Sequence, residues 1–386
     1  MIKKKLINYN DIEKKIISNI DRFKLSTKEI VELKKDLENA VILVSGATGS
    51  IGKHFVEKIV NLNFKTLFLL DKNENELTDL NRNLLIKYKK KSIRYICSDI
   101  TNLDFINFFR LNKITHYFNF AAIKHVRSEE ELESIKYMLK TNAKNFLPGK
   151  NPKKIFFLKK IFSVSTDKAV NPKSFLGVTK NLMEKKLKNF QINNPGIFVS
   201  SARFANVSFS NGSILKFIVE RIIQKKSFGI PDKIFRYFIT HDEAVSLCFK
   251  ALQINNNGCI LVPAKFRLGK QISIKDICIK LLKFFNQEYS IKKNYIIVDN
   301  SFKIIFNRKI TSGQKISEEI YSINELIHQR DNFSMNIKLK SCILVDKLIN
   351  SLIASRNKLQ MYKILRKNFL NFMNITASKN KISKII

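Results

Sequence analysis

Short apolar runs alternate along the first half of the chain with longer stretches whose apolar residues recur every three or four positions. Residues 41–44, VILV, are the first run. A glycine-rich turn follows, then IGKHFVEKIV, in which Ile51, Phe55 and Ile59 fall at helical spacing. TLFLL at 66–70 ends at Asp71, and a polar helical stretch covers 76–88. IRYICSDI at 93–100 and HYFNFAA at 116–122 read as a third and a fourth strand. IFSVS at 161–165 and GIFVSSARF at 196–204 continue the series. Strands that are apolar throughout are covered on both faces, and helical segments between them imply parallel crossovers. The predicted fold class is α/β: a doubly wound parallel sheet of the dinucleotide-binding type with a smaller C-terminal substrate-binding region.

The same pattern divides the chain into four parts. Residues 1–39 form a charged helical extension, a packing or dimer arm, in which Ser26 and Glu29 of STKEIVELKKDLENA have the spacing of a capping box. Residues 40–207 form the dinucleotide-binding domain. Residues 208–330, where the alternation weakens, form a substrate-binding region partly interleaved with the sheet. Residues 331–386 are basic and helical in pattern and end in a frayed tail, ASKNKISKII. Such a helix is either solvated or laid on an anionic membrane surface.

Composition alters this picture little. Of 386 residues 45% are hydrophobic, enough for a large core. No run of about 18 apolar residues occurs, so no transmembrane helix is expected. MIKKKLINYNDIEKK is interrupted by Asn, Asp and Glu too early for a signal peptide. The five cysteines are scattered without a C-x-x-C pair. That suits a reducing compartment, the cytoplasm by default, and argues against disulfides and a metal site. The net charge of +38 invites a nucleic-acid reading. Its lysines, however, are spread over the whole chain, and no base-reading motif accompanies them. No nucleic-acid partner is expected; the positive field would still draw in a nucleotide diphosphate.

The first turn reads Ser45-Gly46-Ala47-Thr48-Gly49-Ser50-Ile51-Gly52, between a strand and a helix. Gly46 allows the tight turn, Gly49 the approach of a pyrophosphate, and Gly52 close helix–strand packing. Free N–H groups at the helix start face the anion. Thr48, Ser50 and Ile51 complete the loop, with Ala121 placed on the cofactor after strand four. Asp71 is set to accept hydrogen bonds from the adenosine ribose, which favours NAD over NADP, although Lys72 beside it weakens that inference; a helix N-cap is its other reading. Asp99 is set for the adenine edge or is a turn residue.

STDKAVNP follows strand five, where doubly wound sheets hold ligands, and groups a hydroxyl, an acid and an amine at Thr166, Asp167 and Lys168. GATGSIG, STDKAVNPKSFLGVTK, SSARFANVSFSNGSIL and RYFIT resemble the extended short-chain dehydrogenases/reductases. FAAIKHVRSEEELE at 120–133 and TSGQKISEEIY at 311–321 look like the branch of UDP-N-acetylglucosamine 4,6-dehydratases of polysaccharide biosynthesis. The resemblance spans about residues 5–330 and is to the form without membrane-spanning helices. It implies an NAD-dependent lyase that oxidises C4 of a UDP-sugar, removes the C5 proton, expels the C6 hydroxyl as water and returns the hydride to C6. On that analogy Asp167 is the acid, Lys168 the C5 base, Thr166 a partner of the 4-oxygen and Lys180 the holder of the nicotinamide ribose. Two neighbouring cations would lower the pKa of Lys168, and a dry pocket would raise that of Asp167. Lys124, His125, Asn142, Arg203, Asn206 and Arg236 match substrate-side positions, and self-association is implied.

Two departures stand out. Leu176 occupies the place of the tyrosine of a Tyr-x-x-x-Lys pair ending at Lys180; some members of the branch carry methionine there. Leucine has similar volume but accepts no proton, so the C4 hydroxyl proton must go to Asp167, or through water held by Thr166 and Lys180. The segment 145–160, NFLPGKNPKKIFFLKK, contains helix-breaking Pro148-Gly149 and Asn151-Pro152, which implies a shortened or distorted helix. An epimerase on the same scaffold and a non-catalytic NAD- or nucleotide-sugar-binding protein are the rival readings.

Overall fold

The computed structural model describes residues 8–88, 92–125, 129–148, 155, 157–254, 257–307, 315–330 and 334–369. The tail ASKNKISKII, the 149–154 stretch with Asn151-Pro152, and 311–314 of the TSGQKISEEIY motif lie outside the described residues.

Strand β1 (Val41–Ser45) is buried at every position, as an unbroken apolar run requires of an inner strand. Around it lie β2 (Thr66–Asp71), β3 (Ile93–Cys97), β4 (His116–Asn119), β5 (Lys160–Val164) and β6 (Phe198–Ala202). Their order is β3-β2-β1-β4-β5-β6, every neighbouring pair parallel. Strand Cys259–Pro263 adds to β6 in parallel, and a hairpin of Ile327–Arg330 and Ser334–Lys338 closes that edge antiparallel. Sequence order reverses between β1 and β4, and the crevice above the carboxyl ends at such a switch point takes ligands.

The helices between these strands are α3 (Ser50–Ile59), α4 (Glu74–Lys87), α5 (Phe105–Asn112), α6 (Leu132–Leu139) and α7 (Phe175–Asn193). The main core packs sheet residues such as Leu43, Tyr117 and Phe162 against Phe55, Leu80 and Phe109 of these helices. A second core gathers under a four-stranded sheet of residues 228–231 and 289–307, with Leu215, Ile277 and Ile304 at its centre.

The N-terminal segment bridges both cores. Helix α1 (Tyr9–Ile16) places Ile12 and Ile16 in the second, and α2 (Thr27–Leu37) places Leu33 and Leu37 in the first. The Ser26–Glu29 capping box forms as its spacing requires. Between the helices Arg22 clamps Glu243, with Nε 2.5 Å from Oε1.

At the other end the expected helical extension begins as a strand. Ser334–Lys338 pairs with Cys259–Pro263, and helices start only at Val345–Ile353 and Lys358–Asn368. An open sheet edge is satisfied by whatever strand reaches it, and a partner so distant in sequence leaves no local periodicity to read. The two helices bury Val345, Ile349 and Met361 against α6 and α7, making a third core.

Helix α6 is short. It loosens into a π-turn over Lys140–Lys144, and the chain leaves the helix before Pro148. Phe146, Leu147, Ile155 and Leu158 turn into the main core, so the described part of 145–160 is packed although it is irregular.

Candidate active site

Two adjoining cavities of about 310 and 380 Å³ run along the switch point, and Gly49, Phe120 and His125 line both. The larger contains Gly46, Thr48, Asp71, Asp99 and Ala121; the other contains Ser50, Ile51, Gly52 and the residues after β5.

The glycine turn has the shape its sequence implies. Gly46 has φ +70°, and a Cβ there would lie 2.4 Å from the backbone nitrogen of Ala121. A Cβ on Gly52 would lie 2.1 Å from the Gly46 carbonyl oxygen. Gly49 is the N-cap of α3 and offers no side-chain bond, so the first N–H groups of α3 keep no capping acceptor. A turn in which side chains are excluded and helix donors are unspent fits a pyrophosphate.

Asp71 accepts from the backbone N–H of Thr48 at 3.0 Å and of Asn73 at 3.1 Å. The N-cap of α4 is Asn73, so Asp71 braces the glycine turn from the end of β2. Asp99 caps a short turn through the Thr101 N–H at 2.8 Å, and its other oxygen takes the Tyr137 hydroxyl. Burial disfavours its charge, but the Tyr137 and Thr101 bonds and nearby Lys72 outweigh that and hold its carboxyl below the usual range. Lys72 donates to the same Tyr137 hydroxyl at 3.2 Å.

On the other side, α7 begins at a doubly capped end. Ser174 accepts from Gly177 N–H, and the Glu129 carboxylate accepts from Phe175 and Leu176 N–H. This sets Leu176 and Lys180, one turn apart, on the cavity wall. Lys180 is 4% exposed and donates to the Val164 carbonyl at 2.9 Å. Burial pushes its ammonium down to about 8, against the opposing pull of Glu184.

The turn after β5 carries the densest cluster of charge. Asp167 is fully buried; its Oδ1 accepts from the Thr166 hydroxyl at 2.8 Å and from Lys168 Nζ at 3.1 Å. Thr166 and Lys168 face the cavity, whereas Asp167 lies just behind them. Lys168 Nζ also donates to Asn206 Oδ1 at 3.3 Å and lies 3.7 Å from Glu318 Oε1. Burial works against this ammonium, but Asp167 and Glu318 outweigh it, so the pKa of Lys168 is raised. The expectation of a lowered value fails because the nearest charges are two carboxylates and not Lys180.

Glu318 carries no local signal in the sequence of its role beside Lys168. Burial and the neighbouring Asp167 charge push its carboxyl up. TSGQKISEEIY carries the residue, and the fold brings the second half of that motif to the Asp167–Lys168 turn. Lys315 of the same stretch donates to the Val170 carbonyl at 2.6 Å.

Lys124, His125 and Asn206 line the cavity; Asn142, Arg203 and Arg236 do not. Asn142 sits in the π-turn, 1% exposed, and spends its amide on the Ile123 backbone and the Thr179 hydroxyl. Arg203 forms two-pronged pairs with Glu184 and Glu325 at 2.6–2.9 Å, and Glu184 also takes the Ser165 hydroxyl. Arg236 donates to the Lys315 and Ile316 carbonyls and lies 3.4 Å from Glu318. The three brace the loops around the cavity.

Residues 42–339 match the model of the family described as polysaccharide biosynthesis protein. The chain is 32% identical over 300 residues to an uncharacterized membrane protein of Methanocaldococcus jannaschii, covering 75% of this chain and 84% of the relative. It is 26% identical over 309 residues to a UDP-N-acetylglucosamine 4,6-dehydratase (inverting) of Campylobacter jejuni, covering 77% and 84%. A UDP-glucose 4-epimerase of Rickettsia bellii is 26% identical over 57% of this chain and 65% of its own length. The X-ray structure of Pen from Bacillus thuringiensis shares the fold, with a TM-score of 0.64 at 21% identity over 81% of this chain and 97% of that one. Among the described residues no helix is long and apolar enough to cross a membrane. Sheet order, glycine turn and family match agree: the chain belongs to the polysaccharide biosynthesis protein family, within the extended short-chain dehydrogenases/reductases.

Proposed function

We propose that this chain is a nucleotide-sugar 4,6-dehydratase acting on UDP-N-acetylglucosamine, making a 4-keto-6-deoxy sugar for surface polysaccharide or nonulosonic-acid synthesis. The observation that carries the reading is the Asp167–Lys168 contact of 3.1 Å behind a cavity that also presents Thr166 and Lys180. An epimerase leaves the C6 hydroxyl in place and needs no acid to expel it. The Campylobacter relative whose name states the activity supports it.

The residues present fit NAD: the α3 start for its pyrophosphate, Asp71 for its adenosine ribose, Lys180 for its nicotinamide ribose. The Asp71 carboxylate disfavours a 2′-phosphate, while Lys72, which lines the same cavity and donates to Tyr137, works against that preference. Bound NAD supplies the hydride chemistry at C4 and C6.

The protein handles the protons. Leu176 accepts none, so the O4 proton passes through the Thr166 hydroxyl to Asp167, along a 2.8 Å hydrogen bond. The Lys168 amine then removes the C5 proton, and Asp167 returns its proton, again through Thr166, to the departing C6 oxygen. Lys124, His125 and Asn206 contact the sugar nucleotide.

Incubation with UDP-N-acetylglucosamine and NAD in deuterated water, followed by NMR, tests this. A 4-keto-6-deoxy product with deuterium at C5 is expected. Inversion at C4 without loss of water would establish the epimerase instead, and no turnover despite tight NAD binding would establish a binding protein.

A further inference from the structure

Lys168 is surrounded by three oxygens, Asp167 Oδ1, Asn206 Oδ1 and Glu318 Oε1, at 3.1, 3.3 and 3.7 Å. Two hydrogen-bond acceptors and a carboxylate at ion-pair distance suit an ammonium, which has three N–H donors and no lone pair. The elimination needs the opposite. Once the O4 proton is on Asp167, Lys168 must be an amine to take the C5 proton, so its own proton has to be held elsewhere.

Glu318 is placed to hold it. Its side chain is 2% exposed, and its Oε2 is buried with no hydrogen-bond partner among the described residues. Asp167 and Lys168 face it from the turn after β5, Arg236 from Phe235–Arg236, and Lys315 from its own segment. Passing a proton from Lys168 to Glu318 turns an ion pair into two neutral groups and leaves the net charge of this closed cluster unchanged.

We propose that Glu318 is a positioning residue that acts through Lys168: it takes the ammonium proton when substrate covers the cleft and returns it after turnover. This rests on the dehydratase reading. In the step, a Lys168 N–H bond breaks and a Glu318 O–H bond forms. The C5–H bond then breaks toward Lys168 Nζ, its electron pair becomes the C5–C6 double bond, and the C6 oxygen leaves as water with the Asp167 proton. Lys168 later reprotonates C5, and Glu318 gives its proton back. The raised carboxyl pKa of Glu318 agrees with that duty.

Glu318→Gln keeps the shape and removes the proton acceptor. Its kcat at pH 7 should fall about 100-fold, the scale of a lost acid–base group, with KM unchanged and the deficit shrinking as pH rises. Glu318→Asp should recover at least part of the loss, and it keeps the test open should the glutamine variant fold poorly. A pH profile parallel to wild type overturns the proposal.

A second measurement needs no turnover. Lys168 is 27% exposed in its side chain, so its acylation by a small amine reagent can be followed by peptide mass spectrometry from pH 7 to 10. In Glu318→Gln it should react at lower pH than in wild type. An identical pH dependence means Glu318 does not govern the Lys168 proton, and the proposal falls. Should wild type turn over no nucleotide sugar, the dehydratase reading fails separately, while the labelling still decides the Glu318–Lys168 coupling.

Discussion

Lys168 and Lys180 are both cations at one cavity, yet their surroundings drive them in opposite directions. Lys168 meets two carboxylates and keeps its charge; Lys180 meets a carbonyl and a thioether and is pushed toward neutrality. The sign of the consequence for Lys180 follows from linkage. With a folded pKa of about 8, below that of a lysine in the unfolded chain, the unfolded state binds more protons between roughly pH 8 and 10.5. Its burial therefore penalises the fold fully below pH 8, and the penalty is relieved as pH rises through that window. The difference in unfolding free energy between wild type and Lys180→Met should shift by up to about 3 kcal/mol in favour of wild type from pH 7.5 to 10.5. Urea denaturation across that range checks it, and a constant difference would show that Lys180 is better solvated than its position implies. The residue types at 46, 49, 52, 71 and 166–168 were legible because each carries its reason locally, in a turn or a strand end. The partner of Lys168 was not, since Glu318 arrives from far along the chain.

At the scale of elements, the strands of the doubly wound half were readable because burial on both faces demands unbroken apolar runs. The π-turn at Lys140–Lys144 left no such mark, and it is what swings Asn142 onto Ile123 and Thr179 and away from the cavity. Arg203 shows the same contrast. By resemblance Arg203 matches a substrate-side position, but β6 delivers it to Glu184 of α7 and to Glu325. Burial opposes its charge and the two carboxylates more than restore it, so its pKa is raised. Arg203→Ala strands two carboxylates, Glu184 almost wholly buried, and should destabilise the protein by about 3–5 kcal/mol in urea denaturation while leaving NAD affinity unchanged. A variant of native stability with weakened substrate binding would return Arg203 to a ligand role.

The whole molecule joins three cores, with N-terminal helices pinned across two and C-terminal helices closing the third. It does so while carrying a net charge of +38. Like charges at this density repel one another in the compact state, and salt screens them over about 10 Å at 0.1 M. The melting temperature should therefore rise by several degrees between 20 mM and 300 mM sodium chloride. A fall would mean that pairs such as Lys58–Asp242, at 2.9 Å, contribute more than the general repulsion removes.

Sequence alone determined the parallel sheet, the glycine turn, the Asp71 and Asp167–Lys168 positions, and the absence of a titratable group at 176. Each depends on the periodicity of burial or on a residue type within a few positions of its neighbours. Only the tertiary structure decided that 334–338 is a strand paired on both sides, that Arg203 and Arg236 are tied to carboxylates, and that a second buried acid sits on Lys168. Those outcomes depend on which distant segments meet in a low-dielectric interior, where a charge must find its partner regardless of its distance along the chain.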